Sequence, residues 1–122
     1  MSDLLDKIFQ EVRFASLRYS MHVPLKSFLK IDTSKYSKEE TNYLTHPWTH
    51  LDFVVFNRFD KIPILAIEVD GIAYHAQNEK QLNHDSIKNK CLMDCKLPLL
   101  RVKTNESGIE EKIIQALNSS LA

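Results

Sequence analysis

Thr49-His50-Leu51-Asp52-Phe53-Val54-Val55 and Ala66-Ile67-Glu68-Val69-Asp70-Gly71 are two mostly apolar runs that each carry carboxylates. Acidic side chains are almost never buried without partners. Side chains alternate along a strand, so Glu68 and Asp70 share a face opposite Ile67 and Val69, and His50 and Asp52 share a face of the preceding strand. If the two strands pair, Asp52 lies beside Glu68, and two adjacent carboxylates repel one another without a cation. Mg2+ or Mn2+ accepts oxygen ligands from such a set. Asp52 and Glu68 are the principal candidate ligands, the Val69 carbonyl offers a further oxygen, and Asp70 can take a second ion or position an attacking water. An ion so held suits phosphodiester hydrolysis, because it orients water, lowers its pKa and neutralises charge on phosphate oxygens. The competing reading is that these acids cap turns or meet solvent at strand ends.

Other residues join this set less directly. His75 follows in the connector and can touch a phosphate or transfer a proton, or can be a structural histidine. Gln81, Asp85 and Lys88 share a helix face. Lys88 either contacts the scissile phosphate or pairs with Asp85. Glu11 lies at the edge of an N-terminal apolar stripe, where it reaches into a site or snorkels to water. His46, His50, His75 and His84 raise a zinc alternative in which His50 and Asp52 share a metal, although no His-Glu-x-x-His motif is present. Cys91 and Cys95, four apart on a helix, have poor disulfide geometry and are too few for a structural zinc site, so they read as small core residues.

The elements that must hold these residues follow from periodicity. Ser2 to about Tyr19 reads as a helix with Leu5, Ile8, Phe9, Val12, Ala15 and Tyr19 as its stripe. A further strand is expected near Val23 or Ile31. The polar segment Asp32 to Thr45 reads as a long loop. Leu51 to Phe56 and Ile62 to Asp70 form an antiparallel pair, and Glu79 to about Cys95 is a helix broken by Pro98. Leu99 to Val102 is a short internal strand, and a capping box from Ser107 to Glu110 opens the closing helix. The 122 residues suit a single domain, 1–122, with helices on both faces of a small mixed sheet. Sixteen basic and sixteen acidic residues cancel, so overall charge gives no support for nucleic-acid binding. No segment resembles a signal peptide or a membrane span, and a cytoplasmic protein is the default expectation.

Taken together, Leu51-Asp52-Phe53-Val54, Glu68-Val69-Asp70-Gly71 with His75, Asp85-x-x-Lys88 and Pro98-Leu99-Leu100-Arg101 resemble the PD-(D/E)XK nuclease superfamily. The similarity is to its compact branch related to very-short-patch-repair endonucleases, which includes domains of unknown function found at the ends of helicase-like proteins. The resemblance implies a restriction-endonuclease-like α/β three-layer sandwich, with a small mixed central sheet flanked by helices. It also implies Mg2+-dependent cleavage of DNA that leaves a 5′-phosphate. The first metal carboxylate maps onto Asp52, the second acidic position onto Glu68 and the helical glutamate onto Glu11. The motif lysine falls at Asp70, which leaves Lys88, and after it His75, to supply positive charge. A repair, defence or mobile-element setting fits, with a nucleoid-associated location, and so does a homodimer or a helicase-like partner or fusion, with Tyr36, Tyr43 and Trp48 as contact candidates. The missing lysine and zero net charge support an alternative: a catalytically inactive nucleic-acid- or protein-binding module on the same fold.

Overall fold

A computed structural model describes residues 1–70 and 79–121, with the side chains of 79, 81 and 82 excepted. The expectations for Gly71, His75, Gln81 and Leu82 therefore lie outside the described residues or side chains. The elements are α1 (Ser2–Ile8), β1 (Leu17–Pro24), α2 (Lys38–Leu44), β2 (His50–Asn57), β3 (Pro63–Asp70), α3 (Glu79–Asp94), β4 (Leu99–Lys103) and α4 (Ile109–Leu121). The strands form one mixed sheet in the order β1-β2-β3-β4. β1/β2 and β2/β3 are antiparallel, and β3/β4, joined through α3, is parallel.

The sheet is covered on both faces. One core gathers Leu5 and Ile8 of α1, Phe53 and Val55 of β2, Leu65 and Ile67 of β3, Val102 of β4, and Ile113 and Leu117 of α4. The other gathers Leu44 of α2, Val54, Ala66, and Ile87, Cys91 and Leu92 of α3. The alternation along β2 and β3 thus feeds two cores at once, which is why both strands read as near-continuous apolar runs. No helix among the described residues is long and apolar enough to cross a membrane.

Several sequence expectations need correction. The first helix ends at Ile8 rather than near Tyr19. Val12, expected on its buried stripe, is 92 % exposed. Leu17 to Pro24 is the expected extra strand, and the Tyr19 hydroxyl donates to Asp6 Oδ1 at 2.7 Å, tying β1 to α1. The polar segment holds α2, which begins at a complete capping box: Ser37 Oγ accepts from the Glu40 amide, and Glu40 accepts from the Ser37 amide. β4 is an edge strand, not an internal one, because it pairs only with β3 among the described residues. Gly108, at φ +73°, stands immediately before α4 where Ser107 was expected. Cys91 and Cys95 are free thiols packed against the second core, as expected, and burial pushes the Cys91 thiol up to about 11.

α3 is seated by Ile87, Cys91 and Leu92, and this seat fixes where Lys88 points. Leu92→Ala should therefore cost about 2–5 kcal/mol of unfolding free energy. Met93→Ala, one residue on and exposed, should change it by less than about 0.5 kcal/mol. Urea denaturation of the two variants checks this orientation of α3.

Candidate functional site

The sheet register sets a polar row across all four strands. Met21 faces Phe53 and Val23 faces Leu51, which puts His22 of β1 opposite Asp52 of β2. Phe53 faces Ile67, so the same register puts Asp52 opposite Glu68 of β3. Glu68 in turn faces Arg101 of β4. The row runs on the face covered by α3.

Glu68 is 7 % exposed, one of few polar side chains buried in the described structure. Lys88 Nζ donates to Glu68 Oε1 at 2.9 Å and to the His50 carbonyl at 2.8 Å. Lys88 pairs with Glu68, then, and not with Asp85 as one sequence reading had it. Burial pushes the Glu68 carboxyl up to about 7. Lys88 works against that rise, and the neighbouring Asp52 adds to it. Glu68 is thus poised between its two protonation states near neutral pH.

Asp52 is held from two sides. Its Oδ2 accepts the Val69 amide at 2.8 Å, and its Oδ1 lies 3.8 Å from His50 Nε2. His50 is itself oriented by the preceding turn: its Nδ1 lies 2.9 Å from the Trp48 carbonyl. Since a carbonyl only accepts, Nδ1 carries the proton, and the lone pair of a neutral ring is at Nε2. The His22 ring meets the His50 ring edge-on, with centroids 5.4 Å apart. One ligand atom each from His22, His50 and Asp52 lies within 4.8 Å of the others, a partly exposed cluster able to hold a divalent ion.

On the other side of Glu68, Arg101 lies 3.7 Å from Asp70 and 3.8 Å from Asp85, and donates to Asn89 at 2.9 Å. Asp52, Glu68, Val69, Asp70 and Lys88 line one cleft of about 340 Å³ together with Tyr43, Trp48, Thr49, His50 and His84. Tyr43 and His84 stack at 4.0 Å and link α2 to α3 across its rim. Trp48 stands at the mouth, 82 % exposed.

The family model described as "Protein of unknown function (DUF2726)" matches residues 2–121. The chain belongs to this family. No curated protein and no solved structure matches it.

In this DUF2726 chain the structure brings together five of the residues singled out from sequence: Asp52, Glu68, Val69, Asp70 and Lys88. Val69 contributes its amide to Asp52, a contact the sequence reading did not include. Glu11 is not part of the group. α1 ends before it, and it sits exposed and paired with Arg13 at 3.1 Å, between Ile8 and Phe14 of the opposite core. His75 lies outside the described residues. Of the other histidines in the zinc alternative, His46 uses Nδ1 to accept the Trp48 amide, and His84 stacks on Tyr43. His22 and Arg101 were missed as site residues. The signal for His22 was the alternation Arg18-Ser20-His22 against Leu17-Tyr19-Met21, hidden because the helix was expected to run to about Tyr19 and the extra strand only near Val23 or Ile31.

The burial of Glu68, only partly offset by Lys88, gives the stability a pH dependence. A carboxyl raised from 4.5 to about 7 contributes stability in full below 4.5, and that contribution is lost as pH rises through about 7. Glu68→Gln should flatten this part of the stability–pH curve. Lys88→Met leaves Glu68 buried without its cation and should cost roughly 3–5 kcal/mol at about pH 8, and clearly less at about pH 5, where Glu68 is protonated. Denaturation of both variants across that range checks the sign.

Proposed function

We propose that the chain is a Mg2+- or Mn2+-dependent deoxyribonuclease domain of the PD-(D/E)XK type, with Asp52, Glu68 and Asp70 as its acidic set. The observation that carries this reading is the placement of the Asp52 and Glu68 carboxylates side by side on adjacent strands, with the Lys88 ammonium on Glu68, inside one open cleft. A mixed sheet between two helical layers is compatible with the restriction-endonuclease-like sandwich.

The donor set fits a hard cation. Burial is the main cause of the raised Glu68 pKa, the adjacent Asp52 carboxylate adds to it and Lys88 opposes it, so a further cation between the two carboxylates would favour their ionised forms. Asp52 and Glu68 would hold the ion, with the Val69 carbonyl and Asp70 as further oxygens. A bound Mg2+ or Mn2+ supplies charge for the phosphate oxygens and lowers the pKa of a water. Lys88, anchored by the His50 carbonyl, stands in for the motif lysine replaced by Asp70 and presents its ammonium to a phosphate oxygen. Asp70 orients the attacking water as a hydrogen-bond acceptor, and its own position is set by Arg101. Trp48 offers an exposed π-face at the cleft mouth on which a base can stack, a contact worth about 1–3 kcal/mol. Cutting both strands calls for a second active site, which a homodimer would supply, and a helicase-like partner or fusion is the other association the resemblance implies.

One observation favours a second reading, that of a catalytically inactive binding module. Lys88 already sits on Glu68 and meets part of its charge without any metal.

Nicking of supercoiled plasmid in Mg2+ or Mn2+ separates the two. Wild type should nick, and Asp52→Asn and Glu68→Gln should each lower the rate by at least about 100-fold. Asn at 52 keeps an oxygen for the Val69 amide, so the fold is retained. Absence of metal-dependent cleavage by folded wild type, on plasmid and on single-stranded and branched DNA, selects the binding module. Trp48→Ala should weaken binding to single-stranded DNA by roughly 5–150-fold in a fluorescence titration, with stability unchanged because the side chain is exposed.

A further inference from the structure

We propose that His22, His50 and Asp52 form a site for a transition-metal ion of the Zn2+ class, separate in its chemistry from the carboxylate set of Glu68 and Asp70. This inference stands whether or not the chain cleaves DNA.

The donor set argues for the metal. Two imidazole nitrogens and one carboxylate oxygen suit Zn2+, Co2+ or Ni2+, whereas Mg2+ favours oxygen and keeps its waters. Three protein ligands leave at least one position open to water or to a small anion, the arrangement of a reactive rather than a structural zinc site.

Two of the three ligands are held before any ion arrives. The Trp48 carbonyl fixes His50 Nδ1 and so aims Nε2 at Asp52 Oδ1, 3.8 Å away. Metal-ligating histidines commonly carry such a carbonyl on the other ring nitrogen, which sets the tautomer and raises ligand basicity. The Val69 amide fixes Asp52 Oδ2 and leaves Oδ1 facing the histidine. The third ligand, His22, arrives from the neighbouring strand opposite Asp52, and all three ligand atoms already lie within 4.8 Å of one another. Small side-chain rotations bring such atoms to the roughly 2.0–2.2 Å bonds that zinc forms with nitrogen and oxygen. His22 is exposed and free to make that movement.

The backbone at His22 is also unusual. Its φ is +51°, inside a strand, where the flanking residues Met21 and Val23 pair regularly with β2. A residue other than glycine held there costs about 1–3 kcal/mol, and such residues cluster at functional sites. In this chain that conformation accompanies an imidazole set beside His50 and Asp52.

The test is a titration of the purified chain with Zn2+ alone by calorimetry and with Co2+ alone by visible absorption. One ion per chain is expected, with Co2+ giving d–d bands from nitrogen and oxygen ligands, and with excess Mg2+ failing to displace it. His50→Ala and His22→Asn should each weaken binding by more than the roughly 10–100-fold that loss of an outer partner costs. Asn suits position 22 because it tolerates a positive φ, so the fold is preserved there. Glu68→Gln should leave the Co2+ spectrum in place. No binding by folded wild type, or binding indifferent to His22→Asn, overturns the proposal. Binding lost in Glu68→Gln but kept in His22→Asn also overturns it and places the ion in the carboxylate set. That outcome leaves the nuclease reading standing.

Discussion

The ion pair between Lys88 and Glu68 is made where water hardly reaches, and much of the site is arranged around it. A charge withdrawn from water costs several kcal/mol unless it is paired and hydrogen-bonded, so each partner fixes the other. Lys88 sits on α3, Glu68 on β3, and the second acceptor of the ammonium is the His50 carbonyl on β2. One side chain therefore pins a helix to two strands. α3 cannot slide along the sheet without stranding Glu68, and the apolar seat of Ile87, Cys91 and Leu92 holds it against the same face. A sheet packed on both sides has little tolerance for a misplaced charge, which makes this pair a constraint on the position of α3 as well as a feature of the cleft.

Among the described residues around that pair, carboxylates outnumber the lysine and arginine side chains. Asp52, Glu68, Asp70 and Asp85 gather near Lys88 and Arg101. Burial, with the Asp52 charge adding and Lys88 opposing, pushes Glu68 up to about 7, so protonation removes part of this negative charge. A bound cation would meet it differently, by keeping Glu68 ionised. Proton and metal then compete for the same carboxylate, and metal affinity at Glu68 should rise as pH passes through neutrality. Arg101, reaching Asp70 and Asp85 from the edge strand, balances the outer end of the cleft and leaves the inner end to Lys88.

Sequence patterns exposed the centre of this arrangement better than its margins. β2 and β3 are legible because apolar runs of that length, interrupted by Asp52, Glu68 and Asp70, suit strands buried on both faces, and their antiparallel pairing places two of those acids side by side. α3 and α4 follow from apolar spacing and from the break at Pro98. β1 was harder to see. Phe9, Val12 and Tyr19 continue a helical stripe on paper, while Leu17-Tyr19-Met21 alternates as a strand, and only packing of Leu17 and Phe14 into the first core decides between them. α2 was hidden by its composition. Lys38-Glu39-Glu40-Thr41-Asn42 is polar throughout, and the helix is anchored by its Ser37 cap and by Leu44 alone as a fully buried contact. The edge position of β4 depends on which strand pairs with which, a long-range fact that no local pattern contains. His22 was invisible for the same reason, since its role depends on the register of a strand not securely placed.

Asp52 is the residue at which these two levels meet. It occupies the middle of the polar row, with His22 on one side and Glu68 on the other. Its two oxygens are not equivalent: the Val69 amide holds Oδ2, while Oδ1 faces His50. A carboxylate so fixed has little rotational freedom left to lose, and ligand geometry set in advance is what distinguishes a binding site from a chance cluster. Removing its charge while keeping its shape therefore acts on both donor sets at once, whereas replacing His22 or Glu68 acts on one. The chemistry of the cleft is resolved by comparing the neighbours of Asp52, because Asp52 itself belongs to both.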